Sequence, residues 1–114
     1  MAQELKRGEV YWLDWGPGKG SEQRGIRPSL VIQNDEGNAS SPTTIIAAIT
    51  AASERDYPFM VTISAGESGL PRASVVNLSQ IQTIDKGRLK EKCGQLSPAK
   101  MAQVDRAIMV SLGL

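Results

Sequence analysis

Val10-Tyr11-Trp12-Leu13-Asp14-Trp15-Gly16-Pro17-Gly18-Lys19-Gly20-Ser21-Glu22-Gln23-Arg24-Gly25-Ile26-Arg27-Pro28-Ser29-Leu30-Val31-Ile32-Gln33 holds two apolar runs around a loop of opposite character. Residues 9–15 predict a first strand, with Tyr11, Leu13 and Trp15 on one face and Val10 and Trp12 on the other. Ser29–Gln33 predicts the second. Between Gly16 and Pro28 lie four glycines, two prolines and three cations against one carboxylate. A hairpin needs only about two to five linking residues, and a longer loop on a small protein usually serves binding. Glycine lets backbone N–H groups approach a ligand, and arginine forks onto phosphate. The loop therefore reads as an anion-binding segment, with a nucleic-acid phosphate as the anion. The blander alternative is a mobile, solvated hairpin.

Outward from this pair, Asn34–Asn38 is a turn cluster. Thr43–Ala51 predicts a third strand, so continuously apolar that it belongs at the centre of a sheet. Phe59–Ser64 predicts a fourth, and the Gly/Pro segment Gly66–Pro71 leads into a fifth, from Ser74 to about Ile84. A helix closes the chain. Ser97 is its N-cap, Pro98 its first residue, and Gly113 its stop. Met101, Val104, Ile108 and Leu112 recur at helical spacing, a core stripe that could continue into a subunit contact. Five short strands and one helix predict a mainly β fold, a small, strongly bent β-barrel forming one domain over residues 1–114.

Composition narrows the chemistry. The net charge is +1, so a polyanion site has to be a local patch. Histidine is absent, which removes Ser-His-Asp, Cys-His and His-based zinc chemistry. Cys93 is the only cysteine, so neither a disulfide within the chain nor a cysteine metal cluster is available. It is either a reactive thiol or a small half-buried apolar residue. Met1–Arg7 lacks the apolar core of a leader, and no run nears the roughly 18 apolar residues of a membrane span. The chain reads as soluble and cytoplasmic, with no metal or cofactor.

Several ordered motifs carry a resemblance. Lys6-Arg7-Gly8-Glu9-Val10-Tyr11-Trp12, Gly20-Ser21-Glu22-Gln23, Gly25-Ile26-Arg27-Pro28, Ile46-Ala47-Ala48-Ile49-Thr50, Thr83-Ile84-Asp85 and Ser111-Leu112-Gly113-Leu114 together resemble the MazF/PemK/Kid toxins of bacterial type II toxin–antitoxin modules. The resemblance implies an SH3-like barrel of the CcdB/MazF toxin type, acting as a homodimer. It implies a sequence-specific, metal-independent endoribonuclease that cuts single-stranded RNA, chiefly mRNA. The RNA's own 2′-hydroxyl attacks, leaving a 2′,3′-cyclic phosphate and a 5′-hydroxyl. The implied partner is a MazE-like antitoxin that lays an extended, acidic C-terminal segment into the RNA groove.

Carried over position by position, Arg27 matches the family's Gly-x-Arg-Pro arginine, and Thr50 ends an apolar strand where a hydroxyl could meet the scissile phosphate or the 2′-hydroxyl. These two are the expected catalytic residues. Their ordinary alternatives are a surface salt bridge for Arg27 and strand propensity for Thr50. Lys19, Ser21, Glu22, Gln23, Arg24, Asn77, Ser79 and Gln82 are the expected RNA-binding residues, with Gly16–Gly20 as a flap. Ser21 stands where the Kid-like branch has histidine, Asn77 and Ser79 where it has a catalytic arginine and aspartate, and Gln82 where many members have arginine. The acid–base assignment of that branch therefore does not transfer. No base stands out. Glu22 is the nearest carboxylate in sequence, though it could instead fix Arg24 or the loop backbone. Trp15 and Phe59 are stacking candidates, while Trp12 is expected in the core. Arg88, Lys90 and Lys92 read as a solvated turn. The competing readings are a non-enzymatic toxin on the same barrel, suggested by Asn77 and Ser79, and an RNA-binding module without catalysis.

Overall fold

The computed structural model describes residues 4–52 and 56–114; Met1–Gln3, part of the stretch read for a leader, lie outside them. Among the described residues, six strands and two α-helices follow in the order β1 (Glu9–Asp14), β2 (Ile26–Val31), α1 (Asp35–Ser40), β3 (Thr43–Ala51), β4 (Met60–Ile63), β5 (Ser74–Asp85), β6 (Lys92–Gln95) and α2 (Pro98–Leu112), with a 3-10 turn at Lys86–Arg88 between β5 and β6. All strand pairs are antiparallel, in the order β4-β5-β3-β2-β1-β6. The sheet curls into a half-barrel closed on one side by α2.

Both faces of the sheet are covered, which is why β3 is apolar almost throughout. One face buries Val10, Leu30, Ala47, Ile49, Val76 and Leu78 beneath Val104 and Ala107 of α2. The other buries Tyr11, Leu13, Trp15, Val31, Ile46, Ala48 and Ile84, with Leu89 packed against them. The Ser97 hydroxyl accepts from the Lys100 N–H, and Gly113 takes the left-handed conformation at φ 72° to end α2.

Three expectations need correction. Arg27 and Pro28 belong to β2 rather than to the loop, because β1 and β2 pair from Val10↔Leu30 to Asp14↔Ile26. The hairpin continues through Trp15, whose N–H donates to the Gly25 carbonyl at 2.9 Å, so the free loop is residues 17–24. The turn cluster at Asn34–Asn38 opens a helix instead. The Asn34 side chain caps it by accepting from the Gly37 N–H, and buried Asn38 accepts from the Thr44 hydroxyl at 2.7 Å. Finally, Lys92–Gln95 is a sixth strand, pairing with β1.

Two irregularities shape the surface. The β2–β3 ladder runs only from Val31↔Ile46 to Ser29↔Ala48. The backbone of Trp12 bonds toward the Lys90–Glu91 segment, so its partner Pro28 turns its own backbone toward β3. Proline has no N–H to give, and the ladder stops there. Beyond that point β2 stays with β1 and β3 stays with β5, and the sheet splays. In β5 the register passes from Ile81↔Ala47 to Asn77↔Ala48, leaving Leu78, Ser79 and Gln80 bulged out of the ladder with β3.

Candidate functional site

The splay between β2 and β3 opens a crevice of about 320 Å³. Its walls include Ile26, Arg27 and Pro28 from β2, Ile49, Thr50 and Ala51 from β3, and the segment from Leu70 to Ser74. Continuing the register past Ser29↔Ala48 sets Arg27 opposite Thr50. Among the described residues the lining carries two guanidinium residues, Arg27 and Arg72, and two hydroxyls, Thr50 and Ser74, with no carboxylate. Neither arginine makes an ion pair among the described residues. Trp12 forms one edge. It is 36% exposed rather than in the core, because it lies on the α2 side of the sheet at the splayed end.

A second cleft, about 540 Å³, lies under the loop. Lys19, Glu22, Gln23 and Gln82 line it, over a floor that includes Trp15. The loop is tied down across this cleft by Gln80, whose side-chain oxygen accepts from the Gln23 N–H at 3.2 Å and whose amide nitrogen donates to the Ser21 carbonyl at 3.5 Å. The bulge in β5 is what puts Gln80 there. Trp15, expected to stack on a ligand, is buried, and its indole N–H donates to the Ser29 hydroxyl at 3.0 Å.

Strand alternation places Arg27, Thr50, Asn77 and Gln82 on one sheet face, the face away from α2. Ser21 and Arg24 are exposed and line neither cavity. Asn77 and Ser79 bond to each other: the Ser79 N–H and hydroxyl donate to the Asn77 side-chain oxygen at 2.9 and 2.6 Å. Among the described residues, that leaves the Asn77 amide nitrogen to serve as a donor. Glu22 lies in the larger cleft, apart from the residues lining the arginine crevice. Sequence reading missed Arg72 and Trp12 as wall residues. The only signal for Arg72 was its place after Pro71, at the end of the Gly/Pro segment that leads into β5.

Two other reactive side chains are poorly suited to chemistry at neutral pH. Burial, with Glu91 nearby, pushes the Cys93 thiol up, leaving little thiolate. Burial, then the Glu9 carboxylate, pushes the Tyr11 hydroxyl up to about 12. Among the described residues no group of three or more Cys, Asp or Glu side chains could hold a metal ion, and no helix is long and apolar enough to cross a membrane.

Three comparisons bear on this geometry. The family model of the PemK-like, MazF-like toxin of type II toxin–antitoxin systems matches residues 6–112. A Staphylococcus saprophyticus protein, Endoribonuclease MazF, is 50% identical over 111 residues, covering 96% of this chain and 92% of that one. Among solved structures, an endoribonuclease in complex with its cognate antitoxin from a mycobacterial species superposes with a TM-score of 0.81 at 27% identity, covering 96% of each chain. MazF of Deinococcus radiodurans gives 0.82 at 25% identity, over 99% of this chain and 100% of that one. With a family model matched over nearly its whole length and a relative half identical to it, the chain belongs to the PemK-like, MazF-like toxins of type II toxin–antitoxin systems.

Proposed function

We propose that the β2–β3 crevice is the cleavage site of an endoribonuclease toxin, with Arg27 and Thr50 as its catalytic residues. The observation that carries this reading is the lining itself: among the described residues, cations and hydroxyls meet there without a carboxylate, on a chain whose net charge is only +1. Such a local patch attracts a phosphodiester where the whole protein exerts little pull.

The reaction is an in-line displacement. The 2′-hydroxyl oxygen bonds to phosphorus and loses its proton, the bond to the 5′ oxygen breaks, and that oxygen is protonated. The products are a 2′,3′-cyclic phosphate and a 5′-hydroxyl. Negative charge grows on the non-bridging oxygens during the step. A guanidinium set beside them stabilises the transition state more than the ground state, which is what lowers the barrier. Arg27 fills this role from a strand whose path Pro28 stiffens. A guanidinium is a fixed cation, so electrostatic stabilisation suits an arginine better than proton donation. Thr50 donates a hydrogen bond to the same phosphate or orients the 2′-hydroxyl.

The RNA continues from the crevice into the larger cleft, past Lys19, Glu22, Gln23 and Gln82, which have the amide and charged groups to read base edges. Asn77 contributes its amide nitrogen, and Ser79 steadies Asn77. Ser21 and Arg24 meet the RNA from the rim. The exposed ring of Trp12 offers a stacking surface for an unstacked base. The protein acts in the cytoplasm as a homodimer, without metal or cofactor. A MazE-like antitoxin lays an acidic, extended segment over the same cations; the mycobacterial relative, solved with its cognate antitoxin, supports this partnership.

The test is cleavage of a long single-stranded RNA in EDTA, with both fragment ends mapped. The unmutated chain should cut and leave cyclic phosphate and 5′-hydroxyl ends. Arg27→Ala should lower kcat by about 10²- to 10³-fold. A requirement for magnesium, or full activity in Arg27→Ala, would refute the assignment.

A further inference from the structure

We propose that Arg72 is a second phosphate-binding residue of the crevice, holding the phosphate next to the one that is cut. The inference rests on the endoribonuclease reading. Arg72 lines the same crevice as Arg27 and Thr50. It is exposed and pairs with no carboxylate among the described residues. A guanidinium with no ion pair among the described residues keeps its donors available to a ligand, and its planar fork matches two phosphate oxygens.

The backbone beneath it is fixed. The Ser74 hydroxyl donates to the Arg72 carbonyl at 3.1 Å, and the Ala52 N–H donates to the Ala73 carbonyl at 3.4 Å. Leu70, two residues before it, is buried. The positive charge therefore stands on an anchored segment facing the splay. It also supplies a cation on a surface where Asn77 and Gln82 provide none.

Consecutive phosphates of a single strand lie within one nucleotide of each other, so two arginines across one crevice engage neighbours. A residue holding a phosphate that does not react binds ground and transition states alike. Its loss acts on KM and leaves kcat in place.

The experiment uses a single-stranded RNA containing a site that the unmutated protein cuts, with steady-state kinetics between about 50 and 200 mM salt. Arg72→Gln should raise KM about tenfold, with kcat within about twofold of the unmutated value. The slope of log(1/KM) against log salt should become shallower by about 0.7, the signature of one lost phosphate contact to a single strand. Arg72→Lys should restore most of the slope and only part of the affinity. Unchanged KM and slope in Arg72→Gln would overturn the proposal, as would a fall in kcat matching that of Arg27→Ala. Failure of the unmutated protein to cut any RNA would instead overturn the underlying endoribonuclease reading.

Discussion

At Thr50 the crevice receives one hydroxyl from the end of β3, on a side chain whose β-branched shape valine reproduces without the oxygen. Thr50→Val should therefore fold as the parent does and lose only the hydrogen bond that the proposed role assigns to it. Single-turnover cleavage should slow by about 10- to 100-fold, and Thr50→Ser should recover most of the rate. A parental rate in Thr50→Val would leave Thr50 with no part in the chemistry. Arg27 and Thr50 became candidates through the resemblance of their motifs, on a chain whose lack of histidine leaves arginine, hydroxyls, carboxylates and the backbone for any chemistry. Placement was harder to read. Trp12 and Trp15 exchanged their expected environments. Alternation assigned them to opposite faces correctly, but it carries no information on where α2 ends or how far the hairpin extends. Pairing through Gly25 keeps Trp15 inside the sheet, whereas Trp12 falls beyond the cover of the helix.

The elements that escaped the sequence are those stabilised from outside themselves. In α1, the run Asp35-Glu36-Gly37-Asn38-Ala39-Ser40 is composed mostly of poor helix formers. It is helical because Asn34 caps it and because Asn38, buried, bonds to Gln33 and Thr44. In β6, Lys92–Gln95 has neither alternation nor bulk, and it exists as a strand through its pairing with β1. Gly94 is needed there, since a Cβ would sit 2.6 Å from the Ser68 carbonyl oxygen. By contrast, β1, β3 and α2 carried their own periodicity and caps, and their boundaries were legible. The loop over the larger cleft belongs with the first group, because its position depends on Gln80. Gln80→Ala removes the acceptor of the Gln23 N–H and the donor to the Ser21 carbonyl. Amide exchange in residues 17–24 should accelerate while the melting temperature stays within a few degrees, since Gln80 is half-buried at the surface. Unaltered exchange in this segment would show that the loop holds its shape without Gln80.

Across the whole molecule, four of the exposed large apolar side chains among the described residues gather at the end of α2. The crevice and the cleft sit at the splayed corner and under the loop, whereas α2 ends in a patch of Met109, Val110, Leu112 and Leu114 that are 52%, 51%, 59% and 85% exposed. The helix uses only part of its apolar complement internally: Val104 and Ala107 are buried, and Met101 and Ile108 are packed at the margin. Leu112, read as core from its spacing, is exposed, although the last turn still reaches the sheet, where the Ser111 hydroxyl donates to the Leu78 carbonyl at 2.7 Å. Helical period shows that a residue is apolar and on which side, but not whether the same chain covers it. A contiguous apolar end on a 114-residue protein is the kind of surface that subunit association removes from water. If the homodimer uses it, replacing one central leucine by a charge strands that charge in the contact and breaks it. Leu112→Glu should shift the protein from dimer to monomer in sedimentation equilibrium while its circular dichroism spectrum stays that of the parent. An intact dimer in Leu112→Glu would move the subunit contact elsewhere on the sheet, and a parent that sediments as a monomer would remove the homodimer altogether.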